Sequence, residues 1–301
     1  MKKDSRVKAV ISLDAVEHNF REMRKNIAEE TKMIAVIKAD AYGHGAVPIA
    51  HLIEDYDYIW GFAAATAEEA IHLREAGITK PILILGIVFD EYFPELVRYE
   101  IRPAVCEYEE ARKLSDEAVL QKKTVHIHIA LDTGMTRIGF ADTQENVEEI
   151  KKISELPNLE IEGMFTHFAR ADEYDRSPAM VQLERYLDFS RRVEEAGVEI
   201  PLHHCSNSAG IIRMPEANLN IVRAGITIYG IYPSSEVERD IVKLEPVMEL
   251  KSHVTYVKDV PPEQRSATAV LMWLTGSFVW QLFRWAMQTA IPGSFPIKAG
   301  F

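Results

Sequence analysis

Eight short and nearly unbroken apolar runs, separated by stretches with helical spacing, constrain this chain more than any other feature. The runs are MIAVIKA (33–39), YIWGFAAA (58–65), PILILGI (81–87), RPAVC (102–106), TVHIHIALD (124–132), LEIEGMFTHF (159–168), IPLHHCSN (200–207) and NIVRAGI (220–226). Continuous rather than alternating apolar character predicts strands covered on both faces, as in a parallel sheet. Between them, AEEAIHLREAG (67–77), TQENVEEIKKISEL (143–156) and the run 180–197 set apolar residues at helical spacing against Glu/Lys faces. Thr66 is placed to cap one helix at its N-terminus, and Gly77 and Gly197 to close two at their C-termini. Strands alternating with helices predict an α/β fold, a (βα)8 barrel of the TIM type; a doubly wound open sheet shares the alternation.

A barrel of this kind takes about 250 residues, so a chain of 301 has room for part of a second domain. RVKAVISL (6–13) reads as a strand, a helix is expected from about Asp14 to Ile27, and VMELKSHVTYVKDV (247–260) alternates like an antiparallel strand. The expected layout is therefore a barrel over 1–240, whose strand 6–13 pairs with the second domain. The start of a truncated C-terminal β-domain follows over 241–262, and an aberrant tail over 263–301. That tail holds three of the four tryptophans, and its nearly uncharged run ATAVLMWLTGSFVWQLF falls at the lower edge of a bilayer span.

Charge narrows the function. With 34 Lys and Arg against 46 Asp and Glu, the net charge of -12 repels phosphate backbones and anionic lipid, so neither nucleic acid nor a membrane is an expected partner. Cys106 and Cys205 are too few for a disulfide framework, which fits a cytoplasmic setting. The start, MKKDSRVKAVIS, lacks the long apolar core of a signal peptide. His126 with His128, and His203 with His204 and Cys205, do not make a metal-ligand set, so no metal is expected.

The chemistry concentrates in VIKADAYGHG (36–45). A lysine at the C-terminal end of a first barrel strand faces the end where such enzymes work. Desolvation there lowers an ammonium's pKa, and the neutral amine can form a Schiff base with an aldehyde cofactor. An exposed strand-end lysine beside a tight turn would read the same from position alone.

VIKADAYGHG resembles the cofactor-attachment motif of the alanine racemases, which use pyridoxal 5'-phosphate (PLP). Five further stretches agree in order and spacing: ALDTGMTRIGF (130–140), EGMFTHFARAD (162–172), HCSNSAG (204–210), VRAGITIYG (222–230) and LKSHVTYVKDV (250–260). The resemblance, over roughly 6–262, implies an isomerase interconverting L- and D-alanine for peptidoglycan, working as a cytoplasmic homodimer. It implies Lys38 as catalytic base and PLP attachment point. Tyr42, Asn207, Ser208, Gly225 and Ile226 are implied around the phosphate, and Arg223 against the pyridine nitrogen. His167 is implied near the ring, and Arg137 at the phenolic oxygen and the substrate carboxylate. An arginine donates without releasing its proton, so the ring stays a weak electron sink suited to simple proton removal and return.

Two departures follow. Many family members carry a lysine seven residues before the arginine matched by Arg137; here Ala130 stands there, and a bound anion is one replacement. After Pro262 no SYG-type tyrosine, the family's second catalytic base, appears. A family-like GYADGYP, coded GGC TAT GCA GAC GGC TAT CCC and read one base later, gives AMQTAIP, which is residues 286–292. A frameshift near 261–265 is the expectation, with weak or no racemisation. A PLP-binding homeostasis protein, a basic amino-acid decarboxylase and an inactive racemase remnant are the alternative readings.

Overall fold

The computed structural model describes residues 7–253 in full and, beyond them, the backbone of short strands between 254 and 283. By contacts the chain divides into two units, Ser12–Val247 and Met1–Ile11 with Met248–Phe301.

In the larger unit, eight parallel strands follow one another around a barrel: β2 (Lys32–Val36), β3 (Ile59–Ala64), β4 (Ile82–Ile84), β5 (Arg102–Val105), β6 (Val125–Asp132), β8 (Leu159–Phe165), β9 (Leu202–His204) and β10 (Ile221–Ala224). The last strand, β10, returns to pair with the first, β2, in parallel register. That closure makes the fold the (βα)8 barrel and removes the open-sheet alternative. A two-residue strand β7 (Phe140–Ala141) hangs from the end of β6. One seam differs from the rest. Where β9 meets β10, Arg223 N donates to Ser206 O at 2.9 Å. Lower down, the Asn220 amide substitutes for main chain, accepting from His203 N and donating to Pro201 O.

Helices α1 (Leu13–Lys25), α3 (Ala46–Ile53), α4 (Ala67–Glu75), α5 (Phe93–Arg98), α6 (Tyr108–Gln121), α7 (Gln144–Ser154) and α8 (Ser177–Glu195) lie between the strands in sequence; α2 (Lys38–Gly43) and α9 (Ser208–Arg213) are single turns near the barrel mouth. Helix α1 begins where the Ser12 hydroxyl accepts from Ala15 N. It buries Val16, Phe20 and Met23 completely, at the spacing of one helical face. Its one buried amide, Asn19, is satisfied by Ile228 O, Glu245 O and Glu245 N. Thr66 caps α4, and Gly77 and Gly197 take positive φ, as the sequence predicts; Thr143 likewise caps α7.

The barrel interior is divided by chemistry. On one side Ile34, Val36, Ala63, Leu83 and Ile221 form an apolar cluster. Each of the larger side chains there, Ile34, Val36, Leu83 and Ile221, contributes about 1.5–3 kcal/mol by burial. On the other side stand His128, His204 and Arg223, all buried.

In the smaller unit, β1 (Val7–Ile11) pairs antiparallel with β11 (Met248–Ser252), and β12 (Val254–Val260) pairs antiparallel with a strand at Phe278–Phe283. The stretch 247–260, read above as one strand, is thus two, parted at His253. Most of the tail 263–301, where the frameshift expectation lies, falls outside the described residues. Among the described residues no helix is long and apolar enough to cross a membrane.

Candidate active site

Strand β2 ends at Val36, so Lys38 stands two residues beyond it rather than inside it. The chain then does something its composition does not advertise. Ala39, Asp40, Ala41 and Tyr42 all have φ near +50°, a left-handed turn without a glycine. Left-handed backbone costs about 1–2 kcal/mol per non-glycine residue, so this segment is held by its surroundings. Glu69 of α4 supplies much of the hold: its carboxylate accepts from Ala39 N and from Ala65 N, both at 2.8 Å. Asp40 Oδ1 accepts from Ala46 N at 2.8 Å and ties the turn to α3. Strain kept in place by specific bonds is typical of functional segments.

Above the C-terminal ends of the strands lies a cavity of about 620 Å³, within the range of small-molecule sites. Lys38, Tyr42, Arg137, His167, Asn207, Ser208, Arg223, Gly225 and Ile226 all line it. The structure therefore brings together every site residue named from the sequence, although they span almost two hundred positions.

Their surroundings differ. Lys38 is half-buried, its ammonium 5.9 Å from the Tyr42 ring centroid. Burial, and then the Glu69 carboxylate, raise the Tyr42 phenol, so it stays a donor at neutral pH. Ser208 Oγ accepts from Gly225 N at 3.0 Å and meets Thr227 Oγ1 at 2.9 Å. A Cβ on Gly225 would come within 3.4 Å of that hydroxyl, so the glycine keeps open a small polar cradle. Asn207 caps α9, its Oδ1 accepting from Ala209 N and Gly210 N; its side-chain carbonyl is thereby committed to the helix. Arg137 is exposed and makes no hydrogen bond to a described residue. Ala130 lies in a small apolar cluster with Ala104 and Phe165 and lines the same cavity as Arg137.

Arg223 is the most constrained member. At 3% exposure it donates to His204 O, Thr166 O and Cys205 O, and to His204 Nδ1 at 2.8 Å. Burial lowers its pKa to about 10, still far above neutrality, so the guanidinium keeps its charge. Its Nη2 also lies 3.4 Å from His167 Nδ1. Burial and then the positive charges of Arg223, Arg137 and Lys38 push His167 down to about 3.

The same logic holds for His128 and His204, whose pKa values burial lowers. His128 and His204, assigned no role from sequence, reach toward the site from below; period-two parity along the strands, which puts them on the interior face, was the available signal.

An acid lability follows. Four imidazoles, His128, His167, His203 and His204, have folded pKa values below the unfolded 6.5, so the unfolded chain binds more protons and stability drops as pH falls below that value. Glu110, raised to about 7 chiefly by burial, opposes this between about pH 4.5 and 7 by binding a proton in the folded state. Four groups against one leave a net uptake of protons on unfolding near pH 5.5. Urea midpoints measured from pH 7.5 to 4.5 are expected to fall steadily; a flat profile would contradict the neutral buried histidines.

The comparisons agree with this geometry. The family described as "Alanine racemase, N-terminal domain" matches residues 11–233. The alanine racemase of Clostridium tetani is 44% identical over 252 residues, 84% of this chain and 65% of that protein. That of Methanococcus maripaludis is 43% identical over 253 residues, covering 84% and 68%. The chain thus spans about two thirds of the length of these relatives. The solved alanine racemase of Clostridium difficile 630 superposes with a TM-score of 0.87 at 40% identity, covering 92% of this chain and 72% of that one. A histidine racemase from Leuconostoc mesenteroides, 24% identical with a TM-score of 0.79, shares the fold. By sequence, by fold and by the residues gathered at its barrel mouth, this chain belongs to the alanine racemase family.

Proposed function

We propose that this chain is the barrel portion of a PLP-dependent isomerase that interconverts L- and D-alanine, supplying D-alanine for peptidoglycan in the cytoplasm, with a homodimer as the assembled form. The carrying observation is the convergence of the Lys38 amine, the Ser208–Gly225 cradle and the Arg223 guanidinium on one cavity. The residues fit the cofactor: the cradle of hydroxyl and backbone amide suits a phosphate, and a fixed cation faces a ring nitrogen.

When bound, PLP would supply an aldehyde carbon for the lysine amine and a conjugated ring that draws electrons from the substrate's α-carbon. Lys38 Nζ then moves a proton at one face of that carbon. Arg223 would donate to the ring nitrogen without releasing a proton. Ser208, Tyr42 and the Gly225–Ile226 backbone would hold the phosphate, with Asn207 fixing the start of α9 beside them. Arg137, with no partner among the described residues, is left for the substrate carboxylate, and neutral His167 lies alongside as an uncharged spacer between cations.

Racemisation also needs a group on the opposite face. The sequence after Pro262 carries no SYG-type tyrosine. General acid–base groups contribute about 10²–10⁴-fold, so the purified 301-residue polypeptide, saturated with PLP, is expected to form D-alanine slower than complete racemases by about that factor. A coupled D-alanine assay decides: a rate matching a complete racemase would show that another residue fills the role.

A further inference from the structure

Below the cavity a chain of buried polar groups runs the depth of the barrel. Arg223 Nη1 lies 2.8 Å from His204 Nδ1, His204 Nε2 lies 2.9 Å from His128 Nδ1, and His128 Nε2 lies 3.2 Å from Glu162 Oε2. Glu162 in turn meets Arg102 Nε at 3.1 Å, near the N-terminal ends of the strands. Both histidines are fully buried, while the ion pair at the floor is partly exposed.

The proton positions in this chain are not free. Arginine only donates, so His204 Nδ1 must be the acceptor. A neutral His204 then carries its proton on Nε2 and donates to His128 Nδ1. His128 must likewise carry its proton on Nε2, which it donates to the Glu162 carboxylate. Protonating either ring would set two N–H groups against each other. One arrangement satisfies all contacts, with every donor pointing from Arg223 toward Glu162.

The packing is built around this path. His204 stacks on Phe165, with centroids 5.0 Å apart and planes 11° apart, and Trp60 lies 5.5 Å from His128. Opposite His128 on β8 is Gly163, where a Cβ would fall 2.5 Å from His128 Nδ1. Only a glycine there leaves room for the ring. Arg223 has no carboxylate partner among the described residues, so this path links its charge to the nearest acid that the network reaches.

We propose that Arg223, His204, His128 and Glu162 form one directional hydrogen-bond relay, in which Glu162 is a positioning residue that holds the Arg223 guanidinium in place at the cofactor cavity from the far end of the barrel. The proposal rests on the reading of Arg223 as the ring-facing residue. Glu162 carries the terminal negative charge, and two neutral imidazoles transmit its pull by polarisation. Arg102 holds the carboxylate in place.

Nitrogen-15 NMR of histidine-labelled protein, the full 301-residue chain without cofactor, tests the relay. His128 and His204 are expected as neutral Nε2–H tautomers at pH 7.5. In Glu162→Ala, His128 loses its acceptor, and the His204 ring signals are expected to shift although two hydrogen bonds separate them from the substitution. Gly163→Ala should shift both. Glu162→Gln keeps an acceptor and guards against a variant that fails to fold. An Nδ1–H tautomer at His204, or His204 signals unmoved in folded Glu162→Ala, would overturn the relay. With PLP added, Glu162→Gln is expected to lower the pH midpoint of the bound cofactor's absorbance, because a negative charge has been lost. An unmoved midpoint would overturn the positioning role. Failure of the cofactor reading is seen separately, as no borohydride-stable adduct on Lys38 in the unaltered chain.

Discussion

Replacing Lys38 with alanine is expected to abolish covalent cofactor capture completely, from one pyridoxyl group per chain after borohydride reduction to none. The expectation rests on position. Lys38 lines the cavity beside the Ser208–Gly225 cradle. Reduction fixes the amine–aldehyde bond, so intact mass and a peptide map report its presence and place. Retained PLP affinity is part of the same result, because phosphate contacts from Ser208 and the Gly225 backbone do not pass through the lysine. The variant should therefore bind PLP reversibly and release it on gel filtration. An adduct on another residue of the variant, or none at Lys38 in the unaltered chain, would remove the basis for the proposed isomerase.

The second large effect concerns stability. Arg223→Met keeps much of the aliphatic stem but removes the donors that satisfy three main-chain oxygens, His204 O, Thr166 O and Cys205 O, and one imidazole nitrogen. Each buried acceptor left without a partner costs about 1–3 kcal/mol. Part of this is returned, because the charge itself no longer has to be desolvated. A net loss of about 3–5 kcal/mol is expected, comparable to breaking a buried ion pair, and read as a lower urea midpoint for the protein without cofactor. A loss under about 1 kcal/mol would mean that solvent or neighbouring groups replace those bonds, and that Arg223 is less built into the fold than its contacts imply.

How much of this was legible in the sequence depends on which physical constraint wrote each part. The barrel strands were legible because a parallel strand buried on both faces needs an unbroken apolar run; β2, β3, β6 and β8 fall within a few residues of the stretches read as strands. The cap at Thr66 was legible for the same kind of reason: a free helix start needs a side-chain acceptor. The left-handed turn was not. Positive φ is signalled by glycine, asparagine or aspartate, whereas Ala39, Ala41 and Tyr42 on either side of Asp40 carry no such preference, and the turn is held by Glu69, thirty residues from Ala39. The break at His253 was hidden because alternation continues on both sides of it.

The site divides the same way. Lys38, Arg137, Ser208 and Arg223 stand in motifs that resemble the family, and that resemblance carried their assignment. His128 and His204 were set aside because, with their sequence neighbours, they do not make a metal-ligand set. Their connection appears only when β6, β8, β9 and β10 are laid side by side, since the distances between their residues in sequence exceed any local pattern. Glu162 sits inside a matched motif, EGMF, yet nothing in that motif tells an outward glutamate from one that meets an interior histidine.

The seam between β9 and β10 has a consequence for how such a molecule comes together. Every other stave of the barrel is laid against its neighbour by parallel main-chain bonds, but this last joint has one main-chain bond and is otherwise tied by side chains, those of Asn220, Arg223 and Ser208. Strands so far apart along the chain as β2 and β10 meet late, so that ladder is expected to form last, with the weaker β9–β10 edge on the other side of β10. That edge is also where Ser208 and Gly225 reach across to each other, one from each side. A small dianion gripped by both would act as a hoop on the cask, making cofactor supply a determinant of whether newly made chains stay closed.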